Sequence, residues 1–337
     1  MKPRLGFVGL GWIGRNRMEA VVRADMAEVS ALYDAAPAAA DEALSFASKA
    51  VVFSSFEELL NEDVDGLVIA TPNRFHAEQS IAALERGIAV FCQKPLGRTA
   101  ADTRSIVAAA RNANRLLGVD LSYQHIPAMR MVRWLVESGA LGKIFAVDAT
   151  FHNAYGPDKP WFYDFSLSGG GCVLDLGVHL LDLALAPLGF PPVKRVQGTL
   201  VSGGQLLPKL ATKQNPQVED YGVATIETTE GTVISLHCSW NLHAGRDANI
   251  AITFYGNGGG ASLHNVNGSF YDFVAERFHR TETETLNAPA DSQWQWGGLA
   301  TLEWVKKLST SDGFDPAVER VVTVAEIIDQ IYERNDA

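Results

Sequence analysis

The sequence lacks the features that would direct it to a nucleic acid or a membrane. Its 28 Lys and Arg residues form no run and are outnumbered by 39 Asp and Glu. The formal net charge of -11 disfavours polyanionic partners and favours neutral or cationic substrates. No apolar stretch approaches the ~20 residues of a bilayer span, and the glycine-broken start does not resemble a secretion signal. We therefore expect a cytoplasmic protein with neither a nucleic-acid nor a membrane partner.

Cysteine is also scarce. Cys92, Cys172 and Cys238 are odd in number, far apart and in apolar settings, a pattern typical of free thiols in a reducing compartment. Hydrophobic residues make up 47% of the 337 positions, so the chain can bury a substantial core, and its length favours about two domains.

Strand-like and helix-like segments alternate in the first part of the chain. Apolar runs predict strands at residues 5–8, 29–33, 66–70, 88–92 and 116–119. Helices are expected at residues 37–49, 74–85 and 99–115, with Thr99 as N-cap of the last. This βαβαβ order predicts an α/β domain over residues 1–120, a Rossmann-type doubly wound parallel sheet with helices on both faces.

The pattern changes after Tyr123, where longer strands are separated by turns. We predict strands at residues 144–150, 193–200, 223–228, 232–240 and 249–255. Helices are expected at residues 129–138, 174–185, 299–308 and 316–333, and loops at 203–216 and 281–295. Residues 121–337 are therefore predicted to form an α+β domain with a mostly antiparallel sheet.

The first strand runs directly into the sequence GLGWIG at residues 9–14, and a helical segment follows. In such a turn Gly9 permits the tight reversal, Gly11 lets the backbone approach a pyrophosphate, and Gly14 lets helix pack on strand. Asp34 ends the second strand, where a carboxylate binds ribose hydroxyls and repels a 2′-phosphate. These features predict NAD binding rather than NADP. A solvated turn residue is the alternative for Asp34.

Two more turns are expected at the same edge of the sheet. Thr71 and Asn73 follow the strand at 66–70, and Lys94 follows the strand at 88–92; open α/β sheets bind ligands at these carboxyl ends. Lys94 could donate to a reacting oxygen and favour the alkoxide that develops as hydride leaves carbon. Turn and cap roles for Thr71 and Asn73, and a surface position for Lys94, are the alternatives.

A glycine-rich segment at residues 169–171 leads into a predicted helix that carries Asp175, His179 and Asp182. Their i, i+4 and i+7 spacing predicts one shared helical face. An imidazole titrates near working pH, so His179 is the candidate acid or base, and a carboxylate one turn away could orient it or bind a neighbouring hydroxyl. A buried structural histidine and a zinc site are the alternatives. Because no third His or Cys lies at ligand spacing, we expect no metal.

Four motifs together resemble the glucose-fructose oxidoreductase and inositol dehydrogenase family (Gfo/Idh/MocA), and they extend over nearly the whole chain. They are the GLGWIG turn, Thr71-Pro72-Asn73 with His76, Lys94-Pro95, and the glycine-rich segment with Asp175, Gly177 and His179. The resemblance implies a catalytic triad of Lys94, Asp175 and His179 and a sugar or cyclitol substrate. It also implies an open-faced sheet that often mediates oligomerisation, here as a homodimer or homotetramer. The expected cofactor-binding residues are Gly9, Gly11, Trp12, Ile13, Gly14, Asp34, Thr71, Pro72, Asn73, His76, Gln93 and Lys94.

The chain departs from this family at three places. Gln93 replaces a usual Glu and loses a charge that would steady Lys94, Gln124 stands where Arg is usual, and Arg17 replaces a common His. Gln124, together with the net acidic charge and the lack of an anion-binding cluster, leads away from phosphorylated or carboxylated substrates and raises an aminosugar or amino-cyclitol as a corollary. The expected substrate-binding residues are Tyr123, Gln124, Trp161, Tyr163, Asp164, Asp175 and His179. A packed loop is the alternative for residues 159–164.

The sequence thus predicts an NAD-dependent dehydrogenase that oxidises a secondary hydroxyl of a sugar, cyclitol or aminosugar. Two alternatives remain open. One is an NAD-dependent glycoside hydrolase that works through transient oxidation. The other is a cofactor-binding regulator that performs no chemistry, because fold does not fix function.

Overall fold

The computed structural model describes residues 2–207, 217–287 and 293–333. Within these residues the chain divides into two compact units. The first comprises the chain up to Ser122 together with Gly297–Val322, and the second comprises Tyr123–Trp296 and the residues from Thr323 onward. The contacts group Gly297–Val322 with the first unit, whereas the predicted boundary assigns these residues to the second domain. The division into domains at residues 1–120 and 121–337 stays a prediction.

The first unit contains a six-stranded parallel sheet, which confirms the predicted doubly wound fold. Its strands are β1 (Arg4–Val8), β2 (Glu28–Tyr33), β3 (Val51–Val52), β4 (Gly66–Ile69), β5 (Ala89–Cys92) and β6 (Leu117–Val119). They are ordered β3-β2-β1-β4-β5-β6, so the order reverses between β1 and β4. Ligands of such sheets bind at the carboxyl ends of the strands near this reversal.

Helices connect these strands. They are α1 (Trp12–Ala24), α2 (Pro37–Leu44), α3 (Phe56–Leu59), α4 (Asn73–Glu85) and α5 (Ala100–Ala113). The Thr99 side chain accepts a hydrogen bond from the Asp102 amide at 3.0 Å, which confirms the predicted N-cap of α5. Helix α2 ends five residues before the predicted residue 49 because the Ser45 hydroxyl bonds the Glu42 carbonyl at 2.6 Å and competes with the helical backbone.

The second unit contains a nine-stranded sheet. Its strands are β7 (Ile144–Asn153), β8 (Val193–Ser202), β9 (Gln205–Leu206), β10 (Tyr221–Thr228), β11 (Val233–Ser239), β12 (Ala248–Gly256), β13 (Gly259–Asn265), β14 (Phe273–His279) and β15 (Glu282–Asn287). The order is β15-β14-β13-β12-β7-β11-β10-β8-β9, and among the described strands of this second sheet only β7 and β11 pair in parallel. The predicted mostly antiparallel sheet is therefore confirmed.

The remaining helices are α6 (Pro127–Glu137), α7 (Phe165–Ser168), α8 (Val178–Leu185), α9 (Gln293–Leu308) and α10 (Arg320–Ile331). Contrary to the expectation from sequence, Phe165–Leu188 is long and apolar enough to cross a membrane by length and composition. However, 89% of its most apolar stretch is buried inside the protein. Burial on all sides is typical of a core helix.

The predicted loop at residues 281–295 is wrong, because β15 and the start of α9 lie there. Strand β15 alternates Glu and Thr at the edge of the sheet, so it carries no apolar signal. Strand β13 is rich in small residues, which weaken a strand pattern. The predicted loop at 203–216 contains β9, and its residues 208–216 lie outside the described part of the chain.

Candidate active site

The turn after β1 requires glycine at its first position because it packs closely against the turn after β4. Gly9 has a φ of +84°, and a Cβ there would lie 2.5 Å from the Ala70 carbonyl carbon. A Cβ on Gly14 would overlap the Gly9 carbonyl oxygen. The first and third glycines of the motif are therefore explained by the local fold alone.

Gly11 is different, since nothing in the protein requires a glycine there. Its φ of -62° and ψ of -175° are open to any residue, and a Cβ would meet no heavy atom within 4 Å. It caps the N-terminus of α1, where free backbone N–H groups favour a negative charge. Open space at this glycine fits the close approach of a dinucleotide pyrophosphate. Trp12, 56% exposed, and half-buried Ile13 follow it.

Asp34, directly after β2, is joined to the same turn. One carboxylate oxygen accepts the Leu10 amide at 2.6 Å, and the other accepts the Ala36 amide at 2.8 Å. The side chain thus fixes the middle of the glycine turn and starts the path to α2. It remains partly exposed, and its carboxylate has further lone pairs that can accept hydrogen bonds. Binding of ribose hydroxyls by Asp34 stays a prediction.

His76 ties together the turns that follow β4 and β5. The buried imidazole lies 2.8 Å from the Pro95 carbonyl oxygen through Nδ1 and 2.7 Å from the Thr71 carbonyl oxygen through Nε2. Burial lowers the pKa of His76, although both carbonyls oppose this effect. The hydroxyl of Thr71 donates to Gln79 at 2.6 Å. His76 therefore fixes the path of the backbone at the cofactor edge.

Lys94 lies in the turn after β5, in a cis peptide bond with Pro95. Its side chain is partly exposed, while Gln93 before it and Asn73 at the start of α4 are buried. Since Lys94, Thr71, Gly9 and Asp34 follow β5, β4, β1 and β2, they share the carboxyl edge of one sheet. This unit therefore carries the predicted cofactor residues on one edge.

In the second unit a buried carboxylate explains the glycine-rich segment. Glu219 accepts the Gly171 amide at 3.0 Å, the Val173 amide at 2.9 Å and the Tyr332 hydroxyl at 2.6 Å. A Cβ on Gly171 would overlap the Glu219 backbone oxygen. Burial raises the pKa of Glu219 despite these donors. The sequence analysis missed Glu219 and Tyr332, which lie far from the motif in the chain.

The following segment does not run as one α-helix. Val173–Gly177 forms a π-helical turn, and α8 begins after it. A π turn shifts the side chains around the axis, so the predicted single α-helical face for Asp175, His179 and Asp182 is wrong. Such turns occur frequently at functional sites.

Each of the three polar residues has its own aromatic or amide neighbour. The His179 ring is only 6% exposed and meets the Tyr123 ring edge-on, with centroids 5.0 Å apart. The indole N–H of Trp240 donates to Asp175 at 3.1 Å. The Gln124 amide donates to the buried carboxylate of Asp182. Trp240 was missed by sequence reasoning, although it ends a predicted strand.

An aromatic cluster surrounds Trp240. The Trp161 and Phe162 rings stack with centroids 3.8 Å apart, and Tyr163 meets Trp240 at 5.6 Å. Burial raises the pKa of Tyr163, and the charge of Asp175 adds to this shift.

Asp164 caps α7 by accepting the Ser166 amide and hydroxyl at 2.8 and 2.7 Å. These bonds lower the pKa of the exposed Asp164. Its carboxylate is thus already engaged within the loop, and a substrate contact by Asp164 stays a prediction.

The cysteines are buried and none is in a disulfide, as predicted. Burial raises the pKa of Cys92 to about 12, so this thiol is not a nucleophile near neutral pH. Among residues 2–207, 217–287 and 293–333, no group of three or more His, Cys, Asp or Glu is placed to hold a metal ion.

The parallel sheet and the glycine turn define a dinucleotide-binding domain of the Rossmann type. Residues 3–121 match the family model described as the oxidoreductase family with an NAD-binding Rossmann fold. Residues 129–262 match the GFO/IDH/MocA C-terminal domain. The chain belongs to the Gfo/Idh/MocA family, which confirms the resemblance and the NAD-binding fold predicted from the sequence.

Curated relatives support this assignment. The chain is 33% identical over 216 residues to D-glucoside 3-dehydrogenase of Escherichia coli, covering 61% of this chain and 60% of that protein. It is 32% identical over 277 residues to a putative UDP-kanosamine synthase oxidoreductase subunit of Amycolatopsis mediterranei, covering 78% of this chain and 75% of that protein. The chain spans only 60% of that D-glucoside 3-dehydrogenase, and it spans 54% of a levoglucosan dehydrogenase of Pseudarthrobacter phenanthrenivorans and 59% of a 1,5-anhydro-D-fructose reductase of Ensifer adhaerens.

Solved structures share the fold. Levoglucosan dehydrogenase in complex with NADH and levoglucosan superposes with a TM-score of 0.84 at 22% identity, covering 99% of this chain and 97% of that chain. GenD2 from gentamicin A biosynthesis, in complex with NAD, superposes with a TM-score of 0.83 at 22% identity, covering 98% of this chain and 93% of that chain. Both likenesses extend across the two units.

Proposed function

We propose that this protein is an NAD-dependent dehydrogenase that reversibly oxidises a secondary hydroxyl of a sugar or cyclitol to a ketone. The open space at Gly11, in a turn whose other two glycines are fixed by packing, is the observation that carries the proposal. It fits a dinucleotide at the edge where Lys94 also lies. Names of relatives support the substrate class, since they include a glucoside and a levoglucosan dehydrogenase.

The cofactor would lie against the Gly9–Gly14 turn and Asp34 and would accept the hydride. In the proposed reaction His179 takes the hydroxyl proton, because a neutral imidazole can accept it near neutral pH. The Lys94 ammonium donates to the same oxygen and stabilises its developing negative charge. Asp175, fixed by the Trp240 indole, orients the sugar by accepting a neighbouring hydroxyl.

The residues in the second unit fit a sugar. A sugar ring has an apolar face of C–H groups and a rim of hydroxyls. Aromatic side chains can pack against the apolar face, and a neighbouring carboxylate can accept hydrogen bonds from the hydroxyls. Trp161 and Tyr163 are accessible in this cluster, and Asp175 is partly exposed. The Tyr123 ring packs against His179 and the Gln124 amide donates to Asp182. Direct substrate contacts by Tyr123 and Gln124 stay predictions.

The first experiment is a screen of neutral sugars, cyclitols and aminosugars for the absorbance of reduced nicotinamide. We expect NAD reduction with at least one of them. Glycoside cleavage without net reduction would instead support the hydrolase, and cofactor binding without any turnover would support the regulator. An aminosugar preference is a separate arm, tested by comparing matched amino and hydroxy compounds.

The second experiment replaces Lys94 with Ala. We expect turnover to fall by at least about 100-fold, the scale of a lost transition-state donor, while NADH binding measured by fluorescence persists. The exposed Lys49→Ala variant is the matched control and should behave like the wild type. Unchanged turnover in Lys94→Ala would refute the mechanism.

Size-exclusion chromatography with light scattering tests the expected homodimer or homotetramer, and cell fractionation tests the cytoplasmic location.

A further inference from the structure

A buried polar network includes Gln93, the residue that precedes Lys94. Asp120 follows β6, and its backbone amide donates to the Cys92 carbonyl at 2.9 Å, so it sits beside the end of β5. One oxygen of its carboxylate accepts Arg17 Nε at 2.5 Å and the side-chain amide of Gln93. The other oxygen accepts the Ser122 hydroxyl. Every one of these side chains belongs to the first unit.

The side chains of this network are almost completely buried. The Arg17 and Asp120 side chains are 3% and 0% exposed, and Gln93 is 6% exposed. Buried charges of this kind are tolerated only when they are paired and hydrogen-bonded. Arg17 supplies one positive charge and Asp120 one negative charge, so the pair is balanced when residue 93 is neutral.

Gln93 is suited to this arrangement by its amide group. Its N–H donates to the oxygen that already accepts Arg17, so that oxygen receives two donors. A Glu at the same place would turn an acceptor toward Asp120 and bury a second carboxylate. Like charges sharing a dry site raise the pKa of one of them.

We propose that Arg17, Asp120 and Gln93 form one charge-balanced unit that positions Lys94, with the carboxylate at residue 120 and a neutral donor at residue 93. The proposal rests on the function proposed above only for its effect on turnover. It makes Gln93 and Asp120 positioning residues that act through the backbone of the Lys94 turn. It also predicts that a Glu at 93 is compatible with this protein only when residue 120 becomes neutral.

The double-mutant cycle of Gln93→Glu, Asp120→Asn and their combination tests this coupling. Gln93→Glu should lower the melting temperature and reduce kcat/KM by about 10-fold or more, a factor equivalent to 1.36 kcal/mol, mainly through kcat. Asp120→Asn should also lower both, because it leaves the buried Arg17 without its carboxylate. The double variant again holds one carboxylate and one amide, so both quantities should return toward the wild type.

The pH dependence of Gln93→Glu separates charge repulsion from simple misfit. The charged or titratable groups around residue 93 include Arg17, Asp120, Cys92 and Lys94, together with His76 of α4, which contacts the Pro95 carbonyl. The carboxyl of Glu at residue 93 has a higher pKa in the folded than in the unfolded protein, so its protonated form favours folding. Its contribution to the stability of the variant is fully present below the unfolded-state pKa of about 4.3 and is lost as the pH rises through the folded-state pKa. The melting-temperature deficit should therefore grow from about pH 5 to about pH 8 and vanish in the double variant.

Amine labelling of Lys94, quantified by mass spectrometry, reads the effect without any substrate. Repulsion between two buried carboxylates should displace the turn that carries Lys94, so Gln93→Glu should change the labelling rate of Lys94 and the double variant should restore it, with exposed Lys143 as internal reference. The exposed Asp63→Asn variant should change none of these quantities. Additive effects in melting temperature and labelling would overturn the proposal. If residues 93 and 120 were coupled in melting temperature and in labelling but not in turnover, the result would count against the proposed function instead.

Discussion

Glu219 gives the most direct test of how the second unit holds its glycine-rich turn. Replacing it with Ala removes the acceptor of the Gly171 and Val173 amides and of the Tyr332 hydroxyl. A buried donor left without an acceptor costs about 1–3 kcal/mol. Allowing for water that enters the space, we expect a loss of about 3–5 kcal/mol in the free energy of unfolding.

Glu219→Gln should cost much less. The three donors all reach Oε1, whereas Oε2 accepts only the shared Gly171 amide. An amide with its oxygen at Oε1 keeps every donor satisfied, so we expect a change below about 1 kcal/mol. Tyr332→Phe, which removes one hydroxyl and the acceptor of the Leu174 amide, should lie between the two variants.

The two residues at 219 also differ in their response to pH. Burial raises the pKa of Glu219 above its ordinary 4.5. A raised folded pKa means that the contribution to stability is fully present below the unfolded value and is lost as pH rises through the folded value. Wild type should therefore lose stability relative to Glu219→Gln as pH rises from 4.5 upward.

Urea unfolding followed by tryptophan fluorescence and circular dichroism across this pH range measures both effects. Coincident transitions from the two probes are the check that free energies of unfolding can be compared. The reasoning would be refuted if Glu219→Gln were as damaging as Glu219→Ala, or if the difference between wild type and Glu219→Gln did not change with pH.

Three further predictions concern the two candidate sites. Trp240→Phe removes the indole donor to Asp175, so kcat should fall by about 3–10-fold with the fold intact, on the scale of the net contribution of one ordinary hydrogen bond; an unchanged kcat would contradict the positioning role. Gly11→Ala should keep the wild-type melting temperature, since its Cβ meets no protein atom, yet weaken NADH binding in fluorescence titration. Equal binding would show that no ligand approaches there. Asp34→Ala should raise the kcat/KM ratio of NADP to NAD and, through the lost Leu10 bond, lower the melting temperature; a constant ratio would remove the argument for NAD preference.

Some features of this protein are local enough to follow from the sequence. The first strands, the glycine turn and the N-cap at Thr99 depend on residues within a few positions of one another, and they lie where they are predicted. The dinucleotide edge also follows, because the carboxyl ends of parallel strands meet once the βαβ order is known. Family membership could likewise be inferred from short motifs.

Other features depend on contacts between distant residues, which local patterns do not encode. The return of Gly297–Val322 to the first unit, with Trp304 against Phe91 at 5.6 Å, has no signal in either segment alone. Polar edge strand β15 lacks an apolar face, so only pairing with β14 defines it.

At the candidate sites the sequence by itself determined which side chains are available, and the tertiary structure decided what each one faces. Spacing placed Asp175 and His179 on one α-helical face, but the π turn directs Asp175 to Trp240 and leaves His179 against Tyr123. Similarly, Gln93 suggested a charge missing beside Lys94, whereas the fold brings in the carboxylate of Asp120, 27 residues away. The physical reason is that burial makes each charge depend on its immediate partners, and those partners are chosen by the packing of distant segments.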